Sequence, residues 1–143
     1  MELSQLYSSK IIEIAANPPK LSKVKNPSAS STKTSRVCGS KIKVDIKADK
    51  GKIEEYYHEI SACALGQTSA AIVAKNIVGA SFDELKELRK TMIAMLKENG
   101  EAPIGRFSEL KYLQSVKDYP PRHVSTLLVF EAVFDCIEQV ENE

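Results

Sequence analysis

Apolar positions along the chain follow two different periods, and these predict a small sheet accompanied by helices. Residues 41–48 alternate between polar and apolar side chains, which is typical of a half-buried strand. A polar turn over 49–52 leads into a second run, 53–61, whose imperfect alternation predicts a returning strand with room for a bulge. A third, short and polar strand is predicted near 30–37.

Helical spacing of apolar residues accounts for most of the remaining chain. The predicted helices cover 3–16, 64–78, 82–98, 107–115 and 120–140. Pro120 and Pro121 suit the first turn of the last helix, where a missing backbone N–H is tolerated. A helix, an antiparallel meander and three or four further helices predict an α+β domain. We expect it to be a single domain over 1–143, with 17–34 as a mobile loop.

The composition excludes several classes of function. Twenty Lys and Arg against 19 Asp and Glu give a net charge of +1, which does not favour a nucleic acid or a membrane surface as partner. No apolar run approaches the ~20 residues of a membrane helix, and residues 1–4 lack a signal-peptide pattern. Three cysteines argue against a disulfide framework. We therefore expect a cytoplasmic protein.

Two cysteines and one histidine are the candidate chemical groups. Cys38 lies before the first strand of the predicted hairpin and Cys63 lies after the second, so both thiols are expected at one end of it. Cys63 also precedes a predicted helix, whose dipole and free N–H groups favour the thiolate. His123 is expected in the first turn of the last helix. Two thiols and an imidazole from separate segments indicate a soft-metal or iron–sulfur site.

Each of these residues also has a purely structural interpretation. Cys63 could be an inert core residue, Cys38 an ordinary loop cysteine, and His123 a surface or capping residue. Cys136 is predicted to pack in the core, because it would lie ~20 Å along the last helix from His123 and could not share an ion with it. His58 is expected on the surface of its strand.

Taken together, these segments resemble the U-type iron–sulfur cluster scaffold family, the IscU and NifU N-terminal-domain type. The likeness spans about residues 5–140. It rests on Asn17-Pro18, Cys38-Gly39, the turn from Asp49 to Ile53, Ala62-Cys63-Ala64, Gly79 and His123. The fold that the resemblance implies is a three-stranded antiparallel sheet packed against four to six helices.

The resemblance also implies a function. Members of the family hold a transient [2Fe–2S] cluster, or zinc when no cluster is present, which would assign Cys38, Cys63 and His123 as cluster and metal ligands here. Sulfur would come from a cysteine desulfurase, and the cluster would pass to apo iron–sulfur acceptor proteins. The chain would act as a monomer or weak dimer, and not as an enzyme.

Three positions depart from the family pattern. Ser40 stands where the family has Asp, Ala62 where it has Gly, and Val124 where a third Cys is expected beside the histidine. A [2Fe–2S] cluster takes four protein ligands. The fourth ligand would then be Ser40, as a weaker metal ligand, or a nearby Glu, water or a partner's thiol. The family's chaperone-binding motif is also absent as such.

Three functions stay open on the sequence. The first is a scaffold or carrier in iron–sulfur assembly. The second is a cluster-less module that binds zinc or accepts sulfur as the partner of a cysteine desulfurase. The third is a zinc-dependent or Cys/His enzyme, for which no third orienting residue is evident.

Overall fold

The computed structural model describes residues 7–36 and 39–143. Its elements, in chain order, are α1 (Ser9–Ala16), β1 (Ala29–Ser35), β2 (Ser40–Asp49), β3 (Lys52–Ser61), α2 (Ala64–Asn76), α3 (Phe82–Lys97), a 3-10 segment (Gly105–Asp118), a 3-10 turn (Pro120–Arg122) and α4 (His123–Glu141). The predicted α+β fold with a three-stranded antiparallel sheet is confirmed.

The sheet has the order β1-β2-β3, so the strictly alternating strand lies at its centre. Lys47 pairs with Glu55 and Ala48 with Ile53, which leaves Glu54 as an extra residue in β3. This is the bulge for which the imperfect alternation left room. At the opposite end of β3, Lys41 pairs with Ser61, so the β1–β2 turn and the start of α2 share one end of the sheet.

The core lies on one face of the sheet, beneath α2 and α4. Ile42, Val44 and Ile46 of β2 are fully buried there. α2 is buried on most of its sides, because its small residues let it pass close to its neighbours. Burying each large aliphatic side chain stabilises the fold by roughly 1.5–3 kcal/mol. The helices that frame the thiol region are thus held by core packing.

Three boundaries differ from the sequence prediction. β1 begins at Ala29, so the loop expected over 17–34 ends at Ser28. The helix predicted over 107–115 is a longer 3-10 segment, in which Phe107 has non-helical dihedral angles. Pro120 and Pro121 form a separate 3-10 turn, and α4 begins only at His123. Two adjacent prolines explain this, since each lacks an N–H and the second disfavours helical angles in the first.

Two of the sequence predictions fall partly outside the described residues. These are the start of the first helix, before residue 7, and the end of the third predicted strand at Val37. Among the residues that are described, no helix is both long and apolar enough to cross a bilayer.

His58 was expected on the strand surface, and that prediction is wrong. It lies opposite Val44 on the core side of the sheet and is half-buried. Its Nδ1 lies 2.9 Å from the hydroxyl oxygen of Tyr56, which is itself buried. Burial lowers the pKa of His58 from 6.5 to about 4, because the charged ring would lose hydration. The histidine is therefore neutral in the folded protein at neutral pH.

We predict that His58 makes the fold acid-sensitive. The unfolded chain binds a proton below pH 6.5, whereas the folded chain resists protonation down to about pH 4. Stability should therefore fall as the pH drops through this window, by about 2 kcal/mol between pH 7 and pH 5 from this group. Urea unfolding of the chain and of His58→Gln measures the effect. Equal pH dependence in the two proteins would contradict it.

Candidate functional site

Cys63 is the reactive-thiol candidate, and it lies directly before α2 as the helix N-cap. Its side chain is half-buried. Burial acts to raise the pKa of the thiol, but the hydroxyl of Ser125, the backbone amides of Gly66 and Leu65, and the charge of Arg122 outweigh it, so that the pKa is lowered. Helix start and cationic neighbour both favour the thiolate, as the sequence predicted for a cysteine at this position.

Ser125 is a contact of the Cys63 thiol that the sequence did not indicate. Its Oγ lies 3.2 Å from Cys63 Sγ and 3.3 Å from Ser40 Oγ. Both serines are 1% exposed. A thiolate has no proton to give, so Ser125 donates to the sulfur and its oxygen can accept from Ser40. Ser40, a candidate ligand from the sequence, is therefore placed one hydroxyl away from the thiol.

A third buried hydroxyl belongs to the same end of the sheet. Ser35 pairs across the strands with Ser40 and is 3% exposed. Its Oγ finds no hydrogen-bond partner among the described residues. A buried hydroxyl without a partner costs free energy relative to a hydrogen-bonded one.

Gly66 lets α4 approach the start of α2 closely enough for this contact. A Cβ atom at position 66 would lie 2.9 Å from Ala62 Cβ, 3.0 Å from Ser125 Oγ and 3.2 Å from the Ser125 carbonyl oxygen. Such separations require the neighbours to move. Glycine at this position thus helps to place Ser125 against the thiol.

His123 is buried and its ring is directed to the backbone. Its Nε2 lies 3.0 Å from the carbonyl oxygen of Val116 and 3.2 Å from that of Lys117. Carbonyl oxygens only accept hydrogen bonds, so Nε2 carries the proton and donates it to them. These hydrogen bonds connect the start of α4 to the 3-10 segment. In the neutral ring only Nδ1 keeps a lone pair for a metal. The assignment of His123 as a ligand stays a prediction.

Cys38 lies outside the described residues. Its flanking residues Arg36 and Gly39 belong to the β1–β2 turn, at the same end of the sheet as Cys63. Across the described part of the chain, no group of three or more His, Cys, Asp or Glu side chains is arranged to hold a metal ion. Because Cys38 is one of the three expected ligands, the ligand set of Cys38, Cys63 and His123 stays a prediction.

Cys136 is a packing residue, as predicted. It is fully buried, and its thiol lies 3.7 Å from the Val44 carbonyl oxygen. Burial is the main cause that raises its pKa to about 12. The two cysteines that the structure describes thus lie in opposite environments.

Comparison with known proteins relates this chain to NifU-like proteins. The family model "NifU-like N terminal domain" matches residues 6–125. A crystal structure of a nitrogen-fixing NifU-like protein (N-terminal) from Brucella abortus is 45% identical, covers 99% of this chain and 98% of its own, and superposes with a TM-score of 0.95. No curated protein matches the chain.

Two further solved structures share the fold. One is a putative iron–sulfur cluster assembly scaffold protein for the SUF system from Fervidobacterium islandicum AW-1, with 21% identity, coverage of 95% of this chain and 99% of the other, and a TM-score of 0.85. The other is a hypothetical protein with 22% identity, the same coverages and a TM-score of 0.81.

We predict that Gly66→Ala loosens the thiol site. The added methyl group would force α2 and α4 apart and should lower the free energy of unfolding by about 1–3 kcal/mol. Urea unfolding measures this cost, with the neighbouring Gln67→Ala as the matched control. Unchanged stability in Gly66→Ala would show that the helices tolerate the extra carbon.

We also predict that the cysteines differ in reactivity. Iodoacetamide should modify Cys63 at neutral pH at least about tenfold faster than Cys136, because the thiolate is the reacting form and Cys136 is buried. Peptide mapping by mass spectrometry assigns the modified residue. Similar rates in the folded protein would contradict the two environments, and equal rates in urea serve as the control.

Proposed function

This chain belongs to the family of NifU-like N-terminal domains, and we propose that it is a scaffold or carrier in iron–sulfur cluster assembly. The single observation that supports this best is the setting of Cys63. Its sulfur lies at a helix start, beside a hydroxyl donor and a cationic side chain that favour the thiolate. Thiolate is the form that binds iron and that attacks sulfur.

In this proposal the [2Fe–2S] cluster is cargo and not a resident cofactor. Cys63 would anchor it, and Cys38, which lies outside the described residues, would supply a second thiolate. His123 through Nδ1 and Ser40 are the remaining candidates, although the Ser40 hydroxyl would first have to leave Ser125. Zinc could occupy the same thiols in the cluster-free form. So few thiolates would hold a cluster weakly, which suits transfer to acceptor proteins.

We propose a binding role and not an enzymatic one. The polar side chains that act on the Cys63 thiol are the hydroxyl of Ser125 and the charge of Arg122, and neither is a general acid–base group suited to turnover of a substrate. His123 uses Nε2 on the carbonyl oxygens of Val116 and Lys117, which supports a structural task for that nitrogen. A cysteine desulfurase would supply the sulfur, and apo iron–sulfur proteins would receive the product, in the cytoplasm.

A second candidate function is favoured by the groups around Cys63. The polar side chains of the described residues that act on its thiol are the Ser125 hydroxyl and the positively charged Arg122. Such a site can accept sulfur without building a cluster. The chain would then be a sulfur-accepting module that works with a cysteine desulfurase.

Anaerobic reconstitution separates the two functions. The chain is incubated with ferrous iron, cysteine and a cysteine desulfurase, and iron and sulfide are quantified together with the visible spectrum. We predict about two irons and two sulfides per chain or per dimer. They should be lost in Cys63→Ala and Cys38→Ala and kept in Cys136→Ala, the matched control.

Each of the other outcomes of this experiment decides between the two functions or excludes both. Sulfur on Cys63 without a cluster would establish the sulfur-accepting module. Neither cluster nor sulfur on Cys63 would overturn both functions. His123→Gln should change cluster content only if Nδ1 is a ligand, and its unfolding curve shows whether the fold survives the loss of the backbone contacts.

A further inference from the structure

A groove of about 610 Å³ lies between α3 and the loop that follows this helix. Leu88, Pro103 and Phe107 line it and are buried in the fold, so they form its apolar floor. Ile104 also lines the groove but is 90% exposed, more than any other large hydrophobic side chain in the described part of the chain. A single exposed aliphatic residue is ordinary, whereas one beside an apolar groove extends a continuous apolar surface.

The loop that closes the groove is fixed at both of its ends. The Gly100 N–H donates to the Ala94 carbonyl oxygen at 2.9 Å, and a Cβ atom at position 100 would lie 3.1 Å from Ala94 Cβ. Arg106 holds the other end, since it pairs with Glu84 at 3.3 Å and donates to the Asn76 carbonyl oxygen at 3.2 Å. The groove is therefore formed before anything binds, which lowers the entropic cost of binding.

The charge at the groove has one sign. Glu84, Glu87 and Glu101 line it and are exposed, and no Lys, Arg or His is found among the described residues that line it. Arg106 neutralises Glu84, whereas the carboxylates of Glu87 and Glu101 form no ion pair within the described ranges. An apolar floor with an acidic rim is complementary to an apolar group that is flanked by cations.

The exposure of Ile104 indicates the size of the molecule that fits here. A small ligand is mostly enclosed by its own pocket, so it would leave a side chain that is 90% exposed largely in water. A polypeptide segment extends beyond the groove and would cover this side chain as well. Apolar surface rimmed by polar residues is typical of protein interaction sites. These features favour a protein over a small molecule.

The groove and the thiol lie at opposite ends of α2. Cys63 is the N-cap of this helix, whereas Arg106 bonds Asn76, its last residue. The helix has 13 residues and is therefore ~20 Å long. The start of α3 agrees, because the Phe82 N–H donates to the Gly51 carbonyl oxygen in the β2–β3 turn, at the end of β3 that is far from the thiol. A molecule in the groove would leave the thiol accessible.

We propose that this groove is a docking site for a partner protein that presents an apolar side chain flanked by Lys or Arg. The apolar side chain would pack on Leu88 and Phe107, the cations would pair with Glu87 and Glu101, and the rest of the segment would cover Ile104. Docking here does not depend on what Cys63 carries. The inference goes beyond the proposed function and can be tested apart from it.

Selection from a peptide library provides the probe. The full chain is immobilised without iron and without a sulfur donor, and it is presented with a phage library of random short peptides. We expect the selected peptides to combine Leu, Ile, Met or Phe with neighbouring Lys or Arg. Their affinity is then measured by fluorescence anisotropy with labelled synthetic peptides. A selection that yields no binding peptide, or only peptides without basic residues, would overturn the inference.

Variants of exposed residues separate the groove from the rest of the surface. Ile104→Ser should weaken peptide binding at least about tenfold, because an aliphatic side chain is no longer covered. Glu87→Gln combined with Glu101→Gln should weaken it about tenfold at low salt and reduce its salt dependence. The matched controls are Ile12→Ser, another exposed isoleucine, and Glu98→Gln, an exposed carboxylate that does not line the groove. Both should bind like the unchanged chain.

Three further outcomes would overturn the inference. The first is equal peptide affinity in the chain and in Ile104→Ser. The second is slower modification of Cys63 by iodoacetamide when peptide is bound, since the peptide would then cover the thiol end. The third is a monomer–dimer equilibrium, measured by sedimentation, that Ile104→Ser abolishes, because the occupant would then be a second copy of the chain. We expect the Cys63 rate to be the same with and without peptide.

Discussion

The close approach of α2 and α4 is the constraint on which the thiol site depends. It exists because Gly66 has no side chain at the point where Ser125 crosses the helix start. The buried apolar residues of both helices pack in the core and keep the two helices close together. At the crossing itself, Ser69 bonds the carbonyl oxygens of Gly66 and Thr126, which ties the two helices together beneath the thiol. The environment of Cys63 is thus a product of core packing.

The end of the sheet supplies the other half of the site. The β1–β2 turn and the exit of β3 fall at the same end because both strand pairs are antiparallel and in register there. Ser35 and Ser40 face inward by the same alternation that buries Ile42, since side chains two residues apart share a face of a strand. Ser40 thereby reaches α4, although 85 residues separate it from Ser125 along the chain. The pattern that forms the core also directs hydroxyls to the thiol.

The sequence was sufficient for the order of strands and main helices and for the position of Cys63 before α2, since period and helix-start position can be read locally. It was insufficient for α4, where the start of the helix decides which way each side chain faces. Residues on a helix turn by about 100° each. His123 faces the 3-10 segment at 6% exposure, Val124 faces solvent at 46%, and Ser125 faces Cys63 at 1%. The two prolines made that start ambiguous, so the sequence could not show that Ser125 faces Cys63.

A thiol supported by hydroxyls differs physically from a thiol supported by other thiols. Thiolates gathered around an ion repel one another until the ion binds, so their site is stable chiefly in the loaded state. Ser125 and Ser40 stabilise the negative sulfur through hydrogen bonds that already exist in the free protein. Such a site is organised before it is loaded and loses little when its cargo leaves. The proposed carrier role would benefit from this similarity between the free and loaded states, which here follows from two hydroxyls and one glycine.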